Sequence, residues 1–278
     1  MRLPEVLTRL VIEFGGTALI ATVAYFGLSQ AVSGAPDLLL AAIFSFAYSI
    51  ALIGFKGDYA TGFNPAVTMG SLLAPGSSSF DIISFLVFTL CQFAGALTGS
   101  AIGRGLYLPY DEISDPFAGL IAIYRMDDDK SIVFLIHFAL ESLATAGVVL
   151  MFLRYTHMSG SVPMLAPVYV GVVYFVAVTV FRVFILPAAA TASMGISMNP
   201  ALVFSSLLTR PKGIFSHADT AYALLFLWAC HLTGSIGGAI LWRITTEETG
   251  LSKLPPFRRQ QSNSDVTSEK TRSTNSDL

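Results

Sequence analysis

Long apolar runs separated by short polar breaks fill most of the chain. A helix needs about twenty apolar residues to cross a bilayer. Runs of roughly that length are placed at residues 10–28, 38–55, 82–103, 131–153, 162–181 and 221–242. Two further runs, 64–74 and 199–209, stop at Pro75 and Pro211, at about half the spanning length. Each opens on the same tripeptide, Asn64-Pro65-Ala66 and Asn199-Pro200-Ala201. Asn is a favoured N-cap, and Pro suits the first helical position, where no N–H is needed. The pattern therefore predicts an all-α membrane protein: six transmembrane helices plus two re-entrant half-helices. Unpaired backbone at a half-helix end is tolerated at membrane depth only if buried in protein or lining a water-filled cavity.

The two halves read as a repeat. Glu13 and Thr17 line up with Glu141 and Thr145, and the two tripeptides line up with each other. Cys91, Gly95, Gly99 and Arg104 line up with Cys230, Gly234, Gly238 and Arg243. Three spans per half make the second half enter from the opposite side, an inverted 3+3 repeat whose half-helices meet near the midplane. The spacing gives a head at 1–9, a channel domain at 10–243 and a disordered tail at 244–278, rich in Ser, Thr and charge. Repeat one covers about 10–103 and repeat two about 131–243. The small-residue pairs Gly95/Gly99 and Gly234/Gly238 let spans 3 and 6 approach closely.

Composition narrows the class. The chain is 54% hydrophobic and 12% charged, with mean hydropathy +0.67, which fits a multi-pass membrane protein. A net charge of −2 gives no case for a nucleic-acid partner. Cys91 and Cys230 fall in apolar stretches and read as small buried side chains. Basic residues in the head, at Lys56, at Arg154 and in the tail place both termini in the cytoplasm. The acidic connection 104–130 falls on the other side. The expected site is the plasma membrane or an internal membrane.

The chemistry follows from the half-helices. A helix N-terminus carries about half a positive charge, so two facing ends repel cations. Each cap Asn can hold backbone N–H groups through its oxygen and offer its amide to a passing molecule. That suits a neutral solute such as water, glycerol or ammonia, and excludes protons by the same logic. His137 and Glu141 share one helical face. With His231 they could be imagined as metal ligands, but no HExxH pattern or second carboxylate supports this, so no metal and no cofactor are expected.

These motifs resemble the aquaporin/glycerol-facilitator (major intrinsic protein) family over about residues 8–243. The carriers are Glu13-Phe14-Gly15-Gly16-Thr17, Asn64-Pro65-Ala66-Val67-Thr68, Gln92-Phe93-Ala94-Gly95, Glu141-Ser142-Leu143-Ala144-Thr145 and Ser197-Met198-Asn199-Pro200-Ala201. The resemblance implies a passive channel, no enzyme activity and a homotetramer in the lipid bilayer. It places the pore midplane at Asn64, Pro65, Ala66, Asn199, Pro200 and Ala201. It places the outer selectivity filter at Phe44, Pro187, Ile196 and Leu202. Leu202 stands where the family normally has Arg, so the chain resembles an unorthodox member of it, with an apolar filter. Arg182, at the end of span 5, either snorkels to the interface or supplies the missing filter charge from another wall.

Two acids lie mid-span. The resemblance makes Glu13 and Glu141 buried structural acceptors for the half-helix loops. The rival reading is a proton relay in an ion- or proton-coupled secondary transporter. A closed-pore membrane scaffold is a third class. Ser262, preceded by Arg258 and Arg259 in the tail, is a candidate phosphosite.

Overall fold

The computed structural model describes residues 3–33, 37–55, 62–74, 81–108, 130–157, 166–184, 196–209 and 218–248. Eight helices occur among them, in the order long, long, short, long, twice over. The first set is α1 (Leu3–Val32), α2 (Asp37–Gly54), α3 (Pro65–Leu73) and α4 (Ile82–Tyr107). The second is α5 (Lys130–His157), α6 (Ala166–Phe184), α7 (Pro200–Leu208) and α8 (Ala218–Glu248). α1, α4, α5 and α8 contain apolar stretches long enough to span a membrane, and α2 and α6 contain shorter ones.

Several helices run beyond their apolar stretches. α1 starts at Leu3, inside the stretch expected to be a separate head, and α8 continues to Glu248, past the expected start of the tail. Helical hydrogen bonding does not stop where the hydrocarbon does. The 31-residue α8 is about 46 Å long at 1.5 Å per residue, against about 30 Å of hydrocarbon. Residues 249–278, including Ser262, lie outside the described residues, as do Pro187 and the side chain of Arg182.

Packing follows the repeat. α1 lies along α4 and α5 along α8, while α2 crosses α6 between the halves. Each half-helix packs mainly on the last span of the opposite half, α3 on α8 and α7 on α4. The glycine pairs do allow close approach, and the partner of each is the first span of its own half. A Cβ at Gly95 would strike the carbonyl of Phe14, and one at Gly99 that of Ala18. Gly234 and Gly238 sit in the same way on Ser142 and Ala146 of α5. The space lets Thr22 Oγ1 donate across to Gly99 O at 3.1 Å.

The polarity of the molecule is inverted relative to a water-soluble protein. Phe46, Leu90, Leu135, Leu143 and Leu225 are exposed, each by more than 60%. Glu13, Asn64, Gln92, His137, Glu141, Asn199 and His231 are buried. Lipid accepts the apolar surface at no cost, and most of the buried polar groups pair with one another or with loop backbone inside.

Candidate pore junction

The half-helices start as their residue types dictate. Asn64 has φ −154° and ψ 117°, and Asn199 has φ −144° and ψ 103°, both extended and both N-caps with Pro next. Asn64 Oδ1 accepts from Ala66 N at 2.8 Å, and Asn199 Oδ1 from Ala201 N at 3.1 Å. The residue before each cap is left-handed, with φ 52° at Phe63 and 53° at Met198. That conformation costs a bulky side chain about 1 kcal/mol or more. It is held because each loop's N–H groups point at a buried carboxylate.

Glu13 Oε1 accepts from Gly62 N at 3.1 Å and its Oε2 from Phe63 N at 2.9 Å. Glu141 Oε1 accepts from Ser197 N at 3.2 Å and Met198 N at 2.7 Å. The carboxylates therefore clamp the strained residues, and the left-handed turn aims each following carbonyl at the opposite loop. Asn64 Nδ2 donates to Met198 O at 2.7 Å, and Asn199 Nδ2 donates to Phe63 O at 2.9 Å. The two half-helices are tied end to end by this exchange, with their N-termini facing.

A further polar layer supports each carboxylate. Gln92 Nε2 donates to Glu13 Oε2 at 2.9 Å and to Thr68 Oγ1 at 2.8 Å. His231, in the matching position of the repeat, donates through Nε2 to Glu141 Oε1 at 2.9 Å. His137 Nε2 lies 3.7 Å from Glu141 Oε2. Among the described residues, no group of three or more His, Cys, Asp or Glu side chains is arranged to hold a metal ion.

The expected filter residues are placed as follows. Phe44 is buried on α2 and stacks edge-on against Tyr174 of α6, with centroids 5.3 Å apart. Ile196 and Leu202 are buried in the same apolar core. Reasoning from sequence missed Tyr48 and Tyr174, whose rings meet Phe44. The signal for Tyr48 was its position one turn after Phe44 on the same face of α2. It also missed Arg9, four residues before Glu13 as His137 is before Glu141. Its guanidinium carbon lies 4.2 Å from the Phe88 ring centroid.

The family model for major intrinsic protein matches residues 2–242. The chain belongs to the major intrinsic protein family. It is accordingly a membrane channel, passive, for water or other small neutral solutes. Among solved structures, the X-ray structure of the aquaglyceroporin from Plasmodium falciparum aligns with a TM-score of 0.56. The two share 15% identity, over 89% of this chain and 99% of that one. A likeness at that identity is one of fold. No curated protein matches the chain.

Proposed function

We propose that solute passes along the junction where α3 and α7 meet, beside Asn64 and Asn199, and through an outer filter formed by Phe44, Pro187, Ile196 and Leu202. The observation that carries this reading is the reciprocal tie Asn64 Nδ2 to Met198 O and Asn199 Nδ2 to Phe63 O. It fixes two helix N-termini face to face, and their combined positive ends repel cations and protons while tolerating dipoles. The solutes are water and small uncharged molecules such as glycerol or ammonia. Leu202 in place of a cation makes the filter apolar, which favours solutes with a carbon face over water.

The coupled-transport reading loses its support at Glu13 and Glu141. Glu13 spends both oxygens, and Glu141 its Oε1, on the loop N–H groups that they hold, a role that fixes structure rather than one that carries protons. A homotetramer with both termini cytoplasmic completes the proposal. It rests on the family for the assembly and on the distribution of Lys and Arg for the orientation.

Stopped-flow shrinkage of liposomes holding the purified protein tests the reading. Water and glycerol permeability should rise above the lipid background, with flux linear in concentration and indifferent to pH and membrane potential. Background permeability for water, glycerol, urea and ammonia alike would remove the channel; saturating flux that follows pH or potential would restore the transporter.

A further inference from the structure

The midplane junction has two sides. Its proline side, with Pro65, Ala66 and Pro200, faces an apolar groove of about 400 Å³ together with Phe85, Phe93 and Trp228. Its asparagine side faces α2 and α6, and there three aromatic rings meet. Tyr174 lies 4.3 Å from Tyr48 at a 30° tilt and 5.3 Å edge-on from Phe44; Phe44 and Tyr48 are 6.4 Å apart. All three are fully buried, as are Asn64 and Asn199.

The rings are anchored to the half-helix start by their hydroxyls. Tyr48 Oη donates to Gly62 O at 2.6 Å. Tyr174 Oη accepts from Asn64 Nδ2 at 3.0 Å, while the same nitrogen donates to Met198 O at 2.7 Å. An amide nitrogen has two hydrogens, so both donors of Asn64 are taken. A permeant hydroxyl that reaches Asn64 finds another hydroxyl already on it.

We propose that Tyr174, braced by Tyr48, is an internal plug and specificity-determining residue. Its hydroxyl occupies the place of a permeating neutral hydroxyl on Asn64, and its ring closes the path at the midplane. The inference rests on the pore position proposed above. Conduction requires the Tyr174 ring to leave Asn64, and a solute displaces it by offering the same group that it offers: a neutral oxygen acceptor. Solutes without such an atom open the path less well, so the plug selects for water and polyols at a level distinct from the outer filter. Tyr48 comes from α2 and Tyr174 from α6, the pair that crosses between the halves. A small shift at that crossing would move both rings together.

The test uses the full chain in proteoliposomes: wild type, Tyr174→Phe and Tyr174→Val. Each is checked for a monodisperse elution peak and followed by stopped flow with water and glycerol. Tyr174→Phe keeps the ring and removes only the acceptor for Asn64. Losing one neutral hydrogen bond of about 1 kcal/mol shifts the closed state by about fivefold, so water permeability should rise by up to that factor. A purely structural tyrosine predicts no rise. Tyr174→Val removes the ring and should raise glycerol permeability more than water permeability, by about tenfold or more if the closed state dominates. If Tyr174→Val does not fold, Tyr174→Phe alone decides, because the ring and its packing are retained. A conducting wild type with neither folded variant exceeding it would overturn the plug and leave the channel standing. Background flux in all three proteins would overturn both.

Discussion

The two halves of the molecule perform one backbone task with different side chains. In both, a buried carboxylate holds two loop N–H groups, the second of them on a left-handed residue, and an Asn then caps a half-helix that starts with Pro. In the first half the carboxylate spends both oxygens: Oε1 on Gly62 and Oε2 on Phe63 and Gln92. In the second, Oε1 alone takes Ser197, Met198 and His231, while Oε2 faces His137 at 3.7 Å. The helper is an amide in one half and an imidazole in the other. The repeat thus preserves an accounting requirement, that buried N–H groups at membrane depth find acceptors, and leaves the identity of the supporting groups open.

The largest expected effect separates the two acids. Glu13→Gln turns one acceptor oxygen into a donor facing Phe63 N or Gly62 N, so a backbone N–H loses its partner. That costs about 1–3 kcal/mol. Glu141→Gln keeps a carbonyl oxygen for Ser197, Met198 and His231, and places its new amide toward His137 Nε2, which has no hydrogen-bond partner of its own. Thermal unfolding in detergent should show Glu13→Gln clearly less stable and Glu141→Gln close to wild type. Equal losses would mean that the two clamps are equivalent despite their geometry.

A middle-sized effect concerns the residue after each tripeptide. Val67 and Leu202 occupy matching positions and are both buried, so in this chain the halves are alike there. Leu202→Arg would make them unlike and give the proposed filter a fixed cation. Glycerol flux should fall more than water flux in the reconstituted variant. Arg182→Ala, measured beside it, tells whether Arg182 already serves the filter: if so, that change alone alters selectivity, and Leu202→Arg blocks the pore by adding a second cation. No change in water or glycerol permeability from either would displace the filter from these residues.

The smallest effect lies at the membrane edge. α4 is capped by Asp81, whose carboxylate accepts from Ser84 N at 2.7 Å. That backbone hydrogen bond lowers its pKa below the usual carboxylate value. A carboxyl with a lowered folded-state pKa contributes stability above its unfolded pKa and loses it as pH falls through the folded value. Asp81→Ala should therefore reduce the thermal midpoint slightly at neutral pH and not at all in acid. A loss that persists in acid would point to packing rather than the cap.

Much of this was legible in the chain because it is written in local patterns. Asn-Pro-Ala followed by a short apolar run is a capped half-helix by residue chemistry alone. Glu13 and Glu141 stand in register in the repeat, and so do Gln92 and His231. Other features were hidden because they are tertiary. Nothing local marks Phe63 and Met198 as left-handed, since neither is a residue type that favours positive φ. The asparagine amides read as donors open to a solute, yet in the structure each gives one hydrogen to the opposite loop, and Asn64 gives its other to Tyr174. Tyr174 was lost among many aromatics, because lipid-facing and core rings look the same in an apolar helix. The ends of α1 and α8 were read short because apolar length marks the bilayer and not the helix.

The central claim, that solute passes beside the paired asparagines, is tested most directly at Asn199, whose amide is tied to Phe63 O and not to the Tyr174 hydroxyl. Asn199→Ala removes the cap of α7, at about 1 kcal/mol in an ordinary helix, and the donor on that side of the junction. Stopped-flow permeability of the reconstituted variant, normalised to folded protein by its elution peak, should fall to near the lipid background for both water and glycerol. A well-folded Asn199→Ala protein with the permeability of wild type would contradict the account.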